Sequence, residues 1–199
     1  MTQPLILASG SAIRATLLTN AAIPFSVQVP RIDEESIKAS LVAEGAKPRD
    51  IADTLAEMKA RKVADKAPGA RVLACDQVLS HDGALLSKPA SPEEAEAQIM
   101  ALSGSRHTLY SAAVLYQEAR PVWRHVGTVH LTMARLNPAY VTGYVRRNWD
   151  SIRHAVGAYK LEEEGVRLFT RIDGDYFNVL GMPLLELLAF LADRGDIDR

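Results

Sequence analysis

Apolar positions along the chain follow two rhythms, short runs of strand length and longer stretches at helical spacing. Residues 4–8 read as a buried strand, and Ser11 is placed to cap a helix over about 12–21. Ile23 to Val29 alternates apolar and polar behind Pro24, a second strand that runs out at Pro30-Arg31-Ile32-Asp33-Glu34-Glu35. Over residues 48–66, Ile51, Leu55, Met58 and Val63 recur on one side of a helix. Residues 71–79 read as a strand, His81-Asp82-Gly83 as a turn and Ala84 to Leu86 as a short return strand. Ser91-Pro92-Glu93-Glu94 joins a cap, a proline at the first helical position and a glutamate three after the cap. That helix is predicted to reach about Leu102 and stop at Ser103-Gly104. Residues 107–117 and 122–135 predict two longer strands, and Asn137-Pro138 opens a helix to about Asn148. Strands near 166–172 and 176–180 and a leucine-rich helix from Pro183 complete the chain. Helices interrupt strands repeatedly around one long hairpin, so the class is α/β, with a mixed twisted sheet and flanking helices. No repeat or low-complexity linker divides residues 1–199, which read as a single domain.

Composition narrows the partners. The formal net charge is −1 with no basic block, which argues against a nucleic-acid partner. No apolar stretch approaches the roughly 18 residues of a membrane span. The start of the chain lacks a basic flank followed by a long apolar region, so no secretory signal or membrane partner is expected and the expected compartment is cytoplasmic. The lone Cys75 excludes an intramolecular disulfide framework, and in its apolar run it reads first as a small buried hydrophobe.

Two segments carry the chemistry. Leu5 to Leu7 breaks at Ser9-Gly10-Ser11 and runs into a helical pattern containing Arg14. At such a junction free N–H groups and the helix dipole attract anions, and the glycine permits close approach of a phosphate. The bland alternative is a plain helix cap with a surface arginine, and the glycine and lysine spacing of a Walker loop is absent. The second segment, Val72 to Val78, delivers Asp76 from inside an apolar strand, where a carboxylate faces desolvation unless it pairs or binds a metal. Asp76 is therefore a candidate general base or metal ligand. Asp33-Glu34-Glu35 reads as a solvated acidic turn, or as oxygen ligands for a divalent cation if set beside phosphates. Lys59 falls inside the apolar arc of its helix, with Lys62 near that arc and snorkelling as the alternative. Lys88-Pro89 lies where a lysine can reach a phosphate, and the five histidines show no metal-ligand spacing. Together these features point to an enzyme that holds a polyphosphate and attacks it.

In this order the segments resemble the Maf family of nucleoside triphosphate pyrophosphatases. The opening Leu-Ala-Ser-x-Ser-Pro-x-Arg pattern is matched by Leu7 to Arg14, with Ala12 in place of the proline and Ile13 in place of the first of two frequent arginines. Asp33-Glu34, Lys59-Ala60, Ala74-Cys75-Asp76, Gly83 through Lys88-Pro89 and Leu102-Ser103-Gly104 match further motifs. Ala155 to Tyr159, with one residue extra, and Asp173 to Leu184 match the C-terminal ones. The resemblance implies a Maf/ITPase-like α/β fold of two lobes around one central cleft, often dimeric, so a homodimer is a possible assembly. It also implies metal-dependent hydrolysis of a nucleoside triphosphate to the monophosphate and pyrophosphate. Asp76-Gln77-Val78 and the Tyr159-Lys160-Leu161-Glu162 segment look more like the 7-methyl-GTP branch than the dTTP/UTP branch. A carboxylate accepts hydrogen bonds from a guanine edge and favours a methylated, positively charged ring, so Glu162 is the expected base selector. Gln77 and Ile13 are expected to line the same region.

The mechanism expected from the sequence places the triphosphate on Ser9, Gly10, Ser11 and Arg14. Glu34, Asp76 or both hold Mg²⁺ or Mn²⁺; Asp76 accepts the proton of the attacking water, and Lys59 and Lys88 stabilise the leaving pyrophosphate. The alternatives are a dTTP/UTP pyrophosphatase, or a nucleotide-binding regulator of septum formation without turnover, a role with which the family is associated.

Overall fold

The long apolar runs pair with one another, and the helices cover the faces this creates. A computed structural model describes residues 4–198. In chain order the elements are β1 (Leu5–Leu7), α1 (Ala12–Asn20), β2 (Ser26–Val27), α2 (Glu34–Ala43), α3 (Pro48–Ala64), β3 (Arg71–His81) and β4 (Ala84–Leu86). They continue with α4 (Pro92–Leu102), β5 (Arg106–Gln117), β6 (Arg120–Met133), α5 (Pro138–Ile152), β7 (Phe169–Asp173), α6 (Tyr176–Val179) and α7 (Leu184–Asp193). Short 3₁₀ turns at Val156–Ala158 and Glu164–Leu168 join α5 to β7.

The strands form one seven-stranded mixed sheet in the order β2-β1-β3-β5-β6-β7, with β4 also paired to β3. β1 runs parallel to β2 and β3, and the remaining pairs are antiparallel. β3 organises the site. One of its edges pairs with β5 from Val72 to Ser80. Its other edge is shared: β1 covers Arg71 to Leu73 and β4 covers Leu79 to His81. Between them, among the described residues, Ala74 to Val78 have no strand neighbour on that edge, so their backbone groups need other partners. Arg14 provides one by donating from Nη1 to the Cys75 carbonyl at 2.8 Å.

Strand alternation then sorts the side chains of β3. Val72, Ala74 and Val78 face α3, where Ile51, Leu55, Ala56 and Val63 cover them. Leu73 and Cys75 face the opposite side, in a cluster with Leu17 and Leu18 of α1 and Leu187 and Leu191 of α7. A third cluster joins α4 and α5 to the far half of the sheet around Leu79, Leu109 and Tyr144.

The structure departs from the sequence pattern in five places. The acidic stretch after Pro30 is the start of α2, with Asp33 as its cap accepting from the Ser36 amide at 3.1 Å. Only Ser26–Val27 of the predicted second strand pairs. The stretch 176–180 is a helical turn because Asp175 accepts from the Asn178 amide, and 166–168 is 3₁₀ rather than strand. Met58, expected on the buried side of α3, is exposed, while Lys59 beside it is buried.

Candidate active site

Asp76 lies in the unpaired stretch of β3 and shares the α3-facing side with Ala74 and Val78. It is 5% exposed. Lys59, inside the apolar arc of α3, meets it: Nζ donates to Asp76 Oδ1 at 2.6 Å and contacts a Glu34 carboxylate oxygen at 3.0 Å. Lys59 thus bridges a buried carboxylate and a more exposed one from the start of α2. Lys62, the other lysine near that arc, is exposed. Burial pushes the Asp76 carboxyl above the ordinary aspartate range, with the neighbouring Glu34 charge adding to the rise, while Lys59 and then Arg14 act against it. A carboxylate raised in this way is a better proton acceptor than a free aspartate.

The loop between β1 and α1 forms the adjoining wall. Ser9 is buried, and its Oγ receives the Ser11 amide at 3.2 Å and Arg14 Nη1 at 3.3 Å. Ser11 is the N-cap of α1 but makes no side-chain cap bond, so its hydroxyl is not spent on the helix. Arg14 also donates from Nε to the Gly181 carbonyl at 2.8 Å. Its guanidinium is therefore fixed between the open edge of β3 and the loop after α6. Gly181 has φ +91°, and an added Cβ there would lie 3.0 Å from Arg14 Nη2.

Gln77 points to the opposite face of β3 from Asp76. Its Nε2 lies 2.9 Å from Ser111 Oγ and 3.0 Å from each of the Asn178 and Val179 carbonyls. Backbone carbonyls only accept, so the amide nitrogen must face inward. The sequence reading expected Gln77 only to line the region around the base. The fold commits the donor to the framework and leaves the side-chain carbonyl as an acceptor.

These groups surround one cavity of about 540 Å³, within the range of small-molecule sites. Ser9, Gly10, Ser11, Ile13 and Arg14 line one side, and Lys59, Asp76 and Gln77 its floor. Glu34 contributes from α2, Lys88 from the segment after β4, and Glu162 from the segment after α5. Every site residue expected from the sequence is thus brought to the same cavity. Ile13 also packs against the α1–α7 cluster, whereas Lys88 and Glu162 are exposed. The sequence reading missed Lys38 on α2 and gave no site role to Tyr159, which lines the cavity while its hydroxyl meets the buried His107 Nε2 at 2.8 Å; Glu35, read with the acidic turn as a possible cation ligand, lines it too. A helix read through residues 34–43 would have placed Lys38 on the same face as Glu34, four residues on.

Two other chemistries are closed off. Burial pushes the Cys75 thiol up to about 11, which keeps it protonated and unreactive at neutral pH. His81 lies 2.9 Å from Ser105 and 3.5 Å from Asp82, but both contacts fall on Nε2. A Ser–His–Asp relay needs opposite ring nitrogens. Among the described residues no group of three or more His, Cys, Asp or Glu side chains is placed to hold a metal by itself.

Residues 4–194 match the family described as Maf-like protein. A nucleoside triphosphate pyrophosphatase of Ruegeria pomeroyi is 71% identical over 198 residues, covering 100% of both chains. A 7-methyl-GTP pyrophosphatase of Brucella abortus is 45% identical over 198 residues, again covering 100% of both. Among solved structures, a HAM1 protein from Coxiella burnetii superposes with a TM-score of 0.55 at 17% identity, covering 96% of this chain and 100% of that one. That last likeness supports the fold.

Proposed function

This chain belongs to the Maf family, and on that premise we propose that its cleft hydrolyses a nucleoside triphosphate to the monophosphate and pyrophosphate. The observation that carries this reading is the Glu34–Lys59–Asp76 chain of contacts at the gap in the β3 edge. A water placed against Asp76 gives up a proton to the carboxylate as its oxygen bonds to the α-phosphorus. The bond from that phosphorus to the bridging oxygen of the β-phosphate breaks, and pyrophosphate leaves with the bonding pair. Arg14, held by two backbone carbonyls, and the open amides at the start of α1 orient the phosphates. Lys59 and Lys88 offset the charge that builds on the leaving group.

A divalent cation fits this donor set. Lys59 takes Asp76 Oδ1, which leaves Oδ2 without a hydrogen-bond partner among the described residues. Mg²⁺ keeps several waters and is held by one or two carboxylates plus substrate phosphates, so a closed protein cage is not needed. Asp76 and Glu34 would hold Mg²⁺ or Mn²⁺. When bound, the ion would neutralise phosphate charge.

Base selection rests on two acceptors, the Gln77 carbonyl and the Glu162 carboxylate, beside the apolar Val78, Leu109, Leu161 and Val179. Two acceptors favour a base edge with two adjacent donors, as guanine has at N1 and its amino group, and the carboxylate favours a ring made positive by methylation. We therefore take 7-methyl-GTP as the preferred substrate, in keeping with the name of the Brucella relative. The test is pyrophosphate release from 7-methyl-GTP, GTP, dTTP, UTP and 5-methyl-UTP. Selective turnover of 7-methyl-GTP is expected. Preference for the pyrimidines would overturn the base assignment, and tight binding without product would overturn the chemistry in favour of a sensor.

A further inference from the structure

Lys38 lies outside the set of residues that the family resemblance brings to the cleft, yet it faces into it from α2. Its Nζ donates to Ser87 Oγ at 2.7 Å and approaches the Leu86 carbonyl at 3.4 Å. The segment it reaches is held from the other side: Gln98 of α4, itself 8% exposed, donates to the Ser87 carbonyl at 3.1 Å. Ser87 immediately precedes Lys88, and Lys38 sits four residues after Glu34 on one helix.

α2 has little else to fix it. It contains no buried residue, and only Ile37 and Leu41 pack against the α3 side of the core. It lies between Pro30 and Gly45, the latter at φ +77°. A helix with so little apolar cover is weakly held unless polar contacts position it. Two such contacts are present, Glu34 to Lys59 near its start and Lys38 to Ser87 one turn later.

We propose that Lys38 is a positioning residue for the hydrolysis argued above, a clasp that joins α2 to the segment after β4 and so fixes Glu34 and Lys88 together. Its ammonium is spent on Ser87, so its effect passes through the placement of those two residues rather than through direct contact with phosphate. The clasp separates from a direct phosphate contact because Ser87 carries no charge. If Lys38 acts on the substrate, Ser87→Ala is harmless; if Lys38 acts as a clasp, the two residues behave as one unit.

The experiment compares Lys38→Met, Ser87→Ala, the double variant and Lys38→Arg in steady-state pyrophosphate release and in amide hydrogen exchange of residues 34–43. Each single variant should lower kcat about tenfold with KM changed less than about twofold, the scale expected when a reacting group is displaced by less than an ångström or so. The double variant should be no worse than either single one, and Lys38→Arg, which retains a donor, should restore most of the rate. Exchange across α2 should quicken about tenfold in Lys38→Met and Ser87→Ala alike, consistent with loss of one charged hydrogen bond. Wild-type kinetics and exchange in Ser87→Ala would overturn the clasp, as would a rise in KM confined to Lys38→Met. The exchange measurement needs no substrate, so failure of the clasp and failure of the proposed activity are told apart.

Discussion

Asp76 is the residue on which the proposed chemistry turns, and its surroundings decide how to test it. Asp76→Asn keeps the shape and leaves Lys59 its contact with Glu34, so the protein should remain folded. Removing the proton acceptor should cost about 10²–10⁴-fold in turnover. Near-wild-type pyrophosphate release from folded Asp76→Asn would move the base elsewhere. A second residue, His107, sets a pH limit on the fold. It is 1% exposed, and burial, aided by the nearby His81 charge, pushes its imidazole down to about 4. The folded state therefore resists protonation that the unfolded chain accepts near 6.5. The stability His107 gives when neutral is complete above about pH 6.5 and is lost as pH falls from there toward 4, reaching about 3 kcal/mol. Urea titrations at steps across that window should show the loss, and His107→Gln should flatten it; equal slopes in the two proteins would refute the assignment. At this scale the sequence was most legible where a residue broke the pattern around it. Asp76 in an apolar strand and Lys59 in an apolar arc stood out because burying a charge is costly. Gln77 broke no pattern, and its framework role depends on carbonyls about a hundred residues away in sequence.

Elements were legible in proportion to the apolar surface they bury. α3, β3 and β5 carry dense apolar periods, and the hairpin of β5 and β6 was read in its essentials. α4 was read to its ends because Ser91, Pro92 and Glu94 mark its start: Ser91 Oγ accepts the Glu94 amide at 3.2 Å, and Glu94 accepts the Ala90 amide at 2.8 Å. α2 has no fully buried residue, only Ile37 and Leu41 against the core, and so left too short a period to read. α6 misled for the opposite reason. Its Tyr-Phe-Asn-Val sequence has strand-forming residues, but the Asp175 cap overrides that weak preference. The seat of α6 offers a test at this scale. Gly127 of β6 lies against Asn178, and an added Cβ would collide with the Asn178 side-chain amide. Gly127→Ala should displace Asn178, remove the carbonyls that hold Gln77, and destabilise the protein by about 1–3 kcal/mol. Thermal unfolding and base selectivity should change together. An unchanged midpoint would show that α6 can shift without disturbing the sheet.

At the scale of the whole molecule, the site exists because two short strands share one edge of β3 and leave a gap between them. A polar gap in an otherwise continuous sheet is where a buried carboxylate can be tolerated and reached, and no local sequence signal announces it. The charge lining that gap leads to the last prediction. Among the described residues, five cationic side chains (Arg14, Lys38, Lys59, Lys88 and Lys160) and four carboxylates (Glu34, Glu35, Asp76 and Glu162) line the cavity. The formal balance is one positive charge, and much of it is already committed: Lys59 to two carboxylates, Lys38 to Ser87, and Lys160 to Ser151 and Glu163. A triphosphate brings several negative charges into this nearly neutral cleft, and the repulsion from Asp76 and Glu34 would oppose its binding. A divalent cation held by those carboxylates would reverse the sign of that interaction. Turnover should therefore vanish after dialysis against a chelator and return with Mg²⁺ or Mn²⁺, while the fold, whose clusters are apolar, keeps its unfolding midpoint throughout. Glu34→Gln should raise the Mg²⁺ concentration needed for half-maximal rate. Full activity in the presence of chelator would mean that the cleft's own cations suffice, and would remove Glu34 and Asp76 from any role as metal ligands.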